Sequence, residues 1–118
     1  MQDYRQLLMW HKPHKLVLDV YADSAKFLRH PDAWPVKDQM VRAAISVPSN
    51  MAEGAGRGSD LDFRRFLFHS LGSSNELEYD LLLARDLSFI SEVLHRQRTG
   101  QLEEVRRMLS AFIQRLTV

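Results

Sequence analysis

The sequence predicts an all-α fold, an antiparallel up-down four-helix bundle, in one domain spanning 1–118. Three observations carry that expectation. Apolar residues recur at three- and four-residue intervals along four separate stretches, the pattern of one buried helical face. No stretch alternates apolar and polar residues as a strand would, and no self-similarity at a period of roughly 20–50 residues marks a repeat array. The links between the stretches are short, which places consecutive helices side by side and antiparallel.

The first helix is expected to begin near Trp10 or His11, after a lead-in whose Leu7, Leu8 and Met9 are placed to pack on the bundle. Pro13 then falls in its first turn, where a missing N–H costs little. Leu16, Val17, Val20, Tyr21, Ser24, Phe27 and Leu28 trace its apolar stripe as far as Arg29. Two prolines make residues 30–35 a connection, with Trp34 expected to plug the end of the bundle. The second helix is expected over residues 36–53, with Val36, Met40, Ala43, Ala44, Val47 and Met51 on its buried face. Pro48 sits inside it and removes the bond to the carbonyl of Ala44, a cost of about 3 kcal/mol in a regular helix. The apolar phase continues from Val47 to Met51, which favours a kink over a restart. Gly54 is read as a left-handed cap.

Ser59 is the expected cap of the third helix, and Asp62 completes a weak capping box. This helix carries Leu61, Phe63, Phe66, Leu67, Leu71, Leu77, Leu81, Leu82 and Ala84 to Leu87. Its middle, Leu71-Gly72-Ser73-Ser74-Asn75, is small, and a helical glycine costs about 1 kcal/mol against alanine. Close packing on the Ala43-Ala44-Ile45-Ser46 patch is the expected return. Ser88 or Ser91 caps the fourth helix, which holds Val93, Leu94, Leu102, Val105, Leu109, Phe112, Ile113 and Leu116. Leu94 and Leu102 stay in phase across Thr99 and Gly100, so one helix with a weak point is preferred to two.

Composition narrows the function classes. The 118 residues are 45% apolar and 26% charged with net charge +1, so bulk attraction to nucleic acid or anionic lipid is not expected. Arginine outnumbers lysine twelve to four, a bias suited to interfaces and bidentate phosphate contacts. The absence of cysteine removes disulfides and thiol catalysis. No signal peptide or membrane-length apolar run is read, which gives a cytoplasmic expectation with no membrane partner.

The polar face of the second helix draws most attention. Arg42, Ser46, Ser49, Asn50, Glu53 and Arg57 line it, and places where local rules are broken tend to be strained or functional. Arg42, Ser46, Pro48, Asn50, Glu53, Gly54 and Arg57, with Gly72, Ser73 and Glu76, are expected to form a close-packed structural seam. Arg42 and Glu53 would then be at least partly buried and bonded to each other's neighbours or across helices. Asp38–Arg42 and Glu53–Arg57 are also i,i+4 pairs. Gly54-Ala55-Gly56-Arg57-Gly58 lacks the Lys-Ser/Thr and the preceding strand of a phosphate loop. What remains is a helix start beside Arg57 able to hold one phosphate or carboxylate, against the plainer glycine cap followed by a serine cap. Nothing joins Glu53 to His69 or Asp80 for acid–base work, no nucleophile motif is present, and the scattered histidines, including His11 and His14, lack carboxylates at ligand spacing. No catalytic residue, cofactor or metal is expected. Arg57, Arg64 and Arg65 make one basic cluster, Arg96 and Arg98 a second, and Arg106, Arg107 and Arg115 a third.

The pattern Gln39-x-x-Arg42-Ala-Ala-x-Ser46-x-Pro48-x-Asn50-x-Ala52-Glu53-Gly54-x-Gly56-Arg57-x-Ser59, with Phe63-x-x-Phe66-Leu67 and Gly72-Ser73-x-x-Glu76-Leu77, resembles a bacterial family of small helical proteins. Its founding members are encoded in intervening sequences of 23S ribosomal RNA genes. Trp10 and Tyr21 fit it as well, while Pro13 and Pro35 depart from it. The resemblance implies a four-helix bundle assembled as a homo-pentameric, barrel-like ring, with no catalytic residue to carry over. The accessory protein of diversity-generating retroelements looks like the same fold and implies a ring that binds nucleic acid and a protein partner through basic surface. On that basis Arg57, Arg64, Arg65, Arg96, Arg98, Arg106 and Arg107 are candidate RNA or DNA contacts. The other expectation is a protein-interaction module with no nucleic-acid role.

Overall fold

Four amphipathic helices form, with ends set by local backbone chemistry. The structure, a computed structural model, describes residues 3–116. The side chain of Leu28, expected on the first apolar stripe, lies outside the described set. The helices are α1 (Leu8–Ser24), α2 (Trp34–Ala55), α3 (Asp60–Asp86) and α4 (Glu92–Arg115). Packing runs α1 on α2, α2 on α3, α3 on α4 and α4 back on α1, with no diagonal helix pair in contact among the described residues. That is the arrangement of an up-down four-helix bundle. The long dimension, 46 Å against 20 Å for the other two, is close to the length of the 27-residue α3 at roughly 1.5 Å per residue.

α1 starts earlier than expected. The Asp3 carboxylate accepts the Arg5 N–H at 3.0 Å and caps a 3-10 turn, Tyr4–Gln6, from which α1 follows at Leu8. Pro13 is therefore inside the helix, and it is buried. Its ring removes the donor that would have reached the carbonyl of Met9. The α-helix stops at Ser24 rather than Arg29, and the chain continues as 3-10 segments Ala25–Arg29 and Pro31–Ala33. α2 then begins at Trp34, two residues before its expected start, with Pro35 in the first turn. This changes the role of Trp34. The inward position falls on Ala33, and the indole is 62% exposed with Lys37 Nζ 5.3 Å from its ring centroid. Buried Phe27, Ala33 and Ile90 fill that end of the bundle instead, with Phe89 packed 5.4 Å from Phe27.

α2 runs unbroken through Pro48, so the helix does not restart. Two side-chain bonds land beside the proline. Asn50 Nδ2 donates to the Ser46 carbonyl and Ser70 Oγ donates to the Val47 carbonyl, both at 2.8 Å. Gly54 is not a left-handed cap, because α2 continues past it to Ala55 and no described glycine has positive φ. A Cβ added there would lie 2.8 Å from Phe66 Cβ and 3.0 Å from Phe63 Cδ1. Glycine is required by the approach of α3, not by the backbone angle.

Ser59 caps α3 as expected, accepting the Asp62 N–H at 3.2 Å. At the other end the Ser88 N–H bonds the Arg85 carbonyl and the Phe89 N–H bonds the Ala84 carbonyl. This double bond pattern closes a helix around one left-handed residue, and here Ser88 takes that conformation at φ 64°. Ser91 is the residue that caps α4, accepting from Leu94 N–H at 3.0 Å. α4 passes through Thr99 and Gly100 without interruption. The core that results holds Leu16, Val20, Met40, Met51, Leu67, Leu77, Leu81, Leu102 and Leu109. Its buried serines, Ser24, Ser70 and Ser74, each donate to a backbone carbonyl, which removes the penalty of an unpaired buried hydroxyl.

Two glycine substitutions separate close approach from helix propensity. Gly54→Ala is expected to lower the urea-unfolding free energy by about 1–3 kcal/mol through overpacking. Gly100→Ala, where a Cβ meets nothing within 4 Å, is expected to raise it by about 1 kcal/mol. Equal effects of the two substitutions would contradict the close-approach account.

Candidate functional site

The conspicuous polar strip of α2 divides in two once folded. One part turns toward α3. The Ser46 and Ser73 hydroxyls bond each other at 2.8 Å, Asn50 Nδ2 reaches Ser46 Oγ at 3.0 Å, and Ser70 bonds the Val47 carbonyl. Ala43 and Ala44 are buried beside them, and Gly54 meets Phe63 and Phe66 two turns further on. This is the close-packed seam expected from the small residues, since α2 and α3 share the most extensive contact in the bundle.

The other part stays on the surface, against expectation. Arg42 and Glu53 are exposed and, among the described residues, bond no other helix. Their side chains are 75% and 56% exposed, and they pair within α2, Arg42 with Asp38 at 3.0 Å and Glu53 with Arg57 at 2.8 Å. Four-residue spacing on a solvent face makes this intrahelical partner the nearest one, and such pairs contribute about 0.3–0.5 kcal/mol. Gly72 and Glu76 also lie outside the seam. Gly72 is exposed with nothing within 4 Å of a Cβ, and Glu76 is exposed beside it.

The first arginine cluster is brought together. The guanidinium of Arg57 lies 4.8 Å from the centroid of the Phe66 ring, and that of Arg65 lies 5.3 Å from the same ring. Arg64 lies 5.3 Å from the Phe68 ring, and its buried Nε finds no partner among the described residues. Cation–π contacts of this exposed kind contribute roughly 0.5–1 kcal/mol each. Beside them a groove lined by Ser46, Asn50, Phe66, Phe68, His69, Gly72, Ser73 and Glu76 runs along the outside of the seam. Asp80, further along α3, has its carboxyl pushed above the usual range, by burial first and then by the charge of Glu76. The start of α3 beside Arg57 is capped by Ser59, while Arg57 itself is held by Glu53.

Members of the other two clusters take separate partners. Arg106 bonds Asn75 at 3.0 Å and pairs with Glu78 across to α3. Arg96 lies 3.8 Å from Glu92, and Arg107 is exposed. Arg115 lines an apolar groove with Leu7, Leu8, Met9, Met108 and Phe112. Arg98 is the largest departure. Its side chain is 15% exposed, and it grips the 7%-exposed Asp23 of α1 through both carboxylate oxygens at 2.6 and 3.0 Å. The hydrogen bonds that Arg98 donates to Asp23 raise its pKa above the ordinary value. Gln101 bridges onward, accepting from Arg98 at 3.1 Å and donating to Asp19 at 2.9 Å. That bond from Gln101 leads the causes that hold the Asp19 carboxyl below its usual range, with Lys15 also contributing. A signal for this network exists in the sequence: Asp23 falls on the buried phase of α1 that runs through Met9, Pro13, Leu16 and Val20.

Among the described residues no group of three or more His, Asp or Glu side chains is placed to hold a metal ion. His14 stacks on Trp10 at 4.6 Å, and His69 meets the edge of Phe66 at 5.6 Å. No described helix is long and apolar enough to cross a membrane.

Residues 5–111 match the family described as the 23S rRNA-intervening sequence protein. The chain belongs to that family. Its fold is similar to the crystal structure, at 1.70 Å resolution, of a protein of unknown function from the S23 ribosomal protein family of Bacteroides thetaiotaomicron VPI-5482. The TM-score is 0.84 at 20% identity, covering 90% of this chain and 98% of that one, a likeness of fold. No curated protein matches the chain.

Removing one partner of the α1–α4 ion pair leaves a buried charge unpaired. Asp23→Ala is expected to cost about 3–5 kcal/mol, against under about 1 kcal/mol for Glu53→Ala in its exposed pair. Chemical denaturation of the two variants checks this, and similar small losses would contradict it.

Proposed function

We propose that this protein is a non-enzymatic helical scaffold or adaptor that works as an assembly of identical subunits in the cytoplasm. A closed ring of five is the arrangement that the family resemblance implies. The observation that carries the reading is the apolar surface left uncovered by the fold. Leu8, Leu18 and Tyr21 on α1 and Leu61, Phe68 and Tyr79 on α3 are all exposed. Groups of large apolar side chains on a folded surface mark interaction sites. Of the polar residues that first suggested chemistry, Ser46 and Asn50 are occupied in the α2–α3 seam, while Arg42, Glu53 and Arg57 are held in exposed pairs within the α2 segment.

A second reading adds nucleic acid as a partner, and one observation favours it. Arg57, Arg64 and Arg65 are the candidate arginines that gather around aromatic rings, those of Phe66 and Phe68. A groove with aromatic rings and arginines beside it suits single-stranded nucleic acid, because phosphates meet the cations and bases stack on the rings. Around a ring the patch repeats and its field adds. The resemblance to retroelement accessory proteins belongs to this second reading.

Both readings are tested on the full chain. Light scattering at tens of micromolar is expected to give a multiple of the monomer mass, and a monomer would contradict the scaffold assembly. Binding of a labelled single-stranded RNA is expected to weaken by about tenfold or more between roughly 50 and 200 mM salt as counterion release is suppressed, and to be lost in Arg64→Ala/Arg65→Ala. Binding indifferent to salt and to that double variant would contradict the nucleic-acid reading and leave a protein-interaction module.

A further inference from the structure

Gly72 stands in the middle of α3, where glycine costs stability against alanine, and the fold draws no packing return from it. A Cβ there would meet nothing within 4 Å, unlike the crowded position of Gly54. A glycine with open space above it lets something from outside the chain approach the backbone. Gly100 is equally open; what sets Gly72 apart is its surroundings. It lines the groove outside the α2–α3 seam, whose volume of about 490 Å³ falls in the range of small-ligand sites.

Along α3, Arg65, His69, Gly72 and Glu76 follow at steps of four, three and four residues, so they share one strip within roughly 60° of arc. The strip is cationic at one end and anionic at the other. At its start Arg65 and Arg57 lie over the Phe66 ring, 5.3 and 4.8 Å from its centroid. At its far end Glu76 is exposed, with no ion pair or hydrogen bond among the described residues. About 16 Å separates the two ends along the helix axis, the scale of one nucleotide with its flanking phosphates. Half-exposed Phe68 and His69 stand one turn before Gly72, and Glu76 one turn after. On the α2 bank the Asn50 amide spends its N–H groups on the Ser46 carbonyl and hydroxyl, which leaves its carbonyl oxygen as an acceptor.

A flat base can lie on the backbone at Gly72, with its phosphate toward Arg57 and Arg65 and its outer edge toward Glu76. A carboxylate sets two acceptor oxygens side by side and offers no donor. Of the four bases only guanine has two adjacent donors on its pairing edge, N1–H and N2–H, the match for a two-pronged bond. Cytosine and adenine present one amino group beside an acceptor nitrogen. Uracil sets one N–H between two carbonyl oxygens, which a carboxylate repels.

We propose that this groove selects a guanine in single-stranded nucleic acid, with the base on Gly72 beside Phe68, its pairing edge on Glu76 and its phosphate on Arg57 and Arg65. This rests on the nucleic-acid reading and adds which base is chosen and by which residues.

Short labelled RNA strands of uridine carrying one central guanosine, adenosine, cytidine or uridine test it on the full chain, by fluorescence anisotropy at roughly 50 mM salt. The guanosine strand is expected to bind about tenfold more tightly than the other three, the discrimination of one two-pronged contact. Glu76→Gln keeps the shape but sets a donor against guanine, and is expected to bring the four strands within about twofold without weakening the all-uridine strand. Gly72→Leu fills the open space while favouring the helix, and is expected to lose the preference in the same way. Circular dichroism checks that both variants keep the fold. No binding of any strand would overturn the nucleic-acid reading and this inference with it. Binding without preference, or a preference for another base, would overturn guanine selection alone. A guanine preference that survives in either variant would overturn the placement of the base on Gly72 and Glu76.

Discussion

α3 lies against α2 as it does because no side chain stands at Gly54. With Phe66 Cβ only 2.8 Å from where a Cβ would be, the two backbones approach more closely there than any larger residue permits. Further along the same contact the spacing is held by hydroxyls. The Ser46–Ser73 bond and the bond from Ser70 to the Val47 carbonyl fix the helices laterally and in register. Both are short and need small residues on either side, which Ala43 and Ala44 supply. The seam also sets what the outside looks like. Phe66 and Phe68 are carried to the rim, where Arg57, Arg64 and Arg65 lie on their rings.

The opposite side of the bundle is joined by a different force. Asp23 and Arg98 tie α1 to α4 through a two-pronged ion pair, extended by Gln101 to Asp19. Such a pair adds little net stability over an apolar contact, because both charges must leave water. It discriminates strongly, however, since any other register of α1 on α4 leaves a charge buried alone. The fold therefore combines a seam set by shape with a joint set by charge.

The helical periodicity made the bundle legible, and Ser59 and Ser91 announced two of its starts. The errors cluster where a proline or glycine admits two explanations. Pro13 fits a first turn or an interior position, and only the 3-10 turn capped by Asp3 decides. Gly54 fits a left-handed cap or a close approach, and only the position of Phe66 decides. Trp34 was misplaced because the helix begins one residue before Pro35, which turns the indole outward. In the candidate site, the α2–α3 seam was readable from small residues recurring on two helices. The surface location of Arg42 and Glu53 was not, since identity alone does not distinguish an intrahelical pair from one across helices. Arg98 was grouped with basic neighbours in sequence, while its true partner is 75 positions away.

The small and hydroxyl-bearing strip between α2 and α3 is thus chiefly a packing device. The measurement that tests this most directly is native-state hydrogen exchange along the chain. If the seam is the structural centre, amides of residues 43–47 and 67–77 will exchange only through global unfolding, with protection above that of the last turn of α4. Exchange in the seam at lower free energy than at that helix end would contradict the account and make the α2–α3 strip a mobile element.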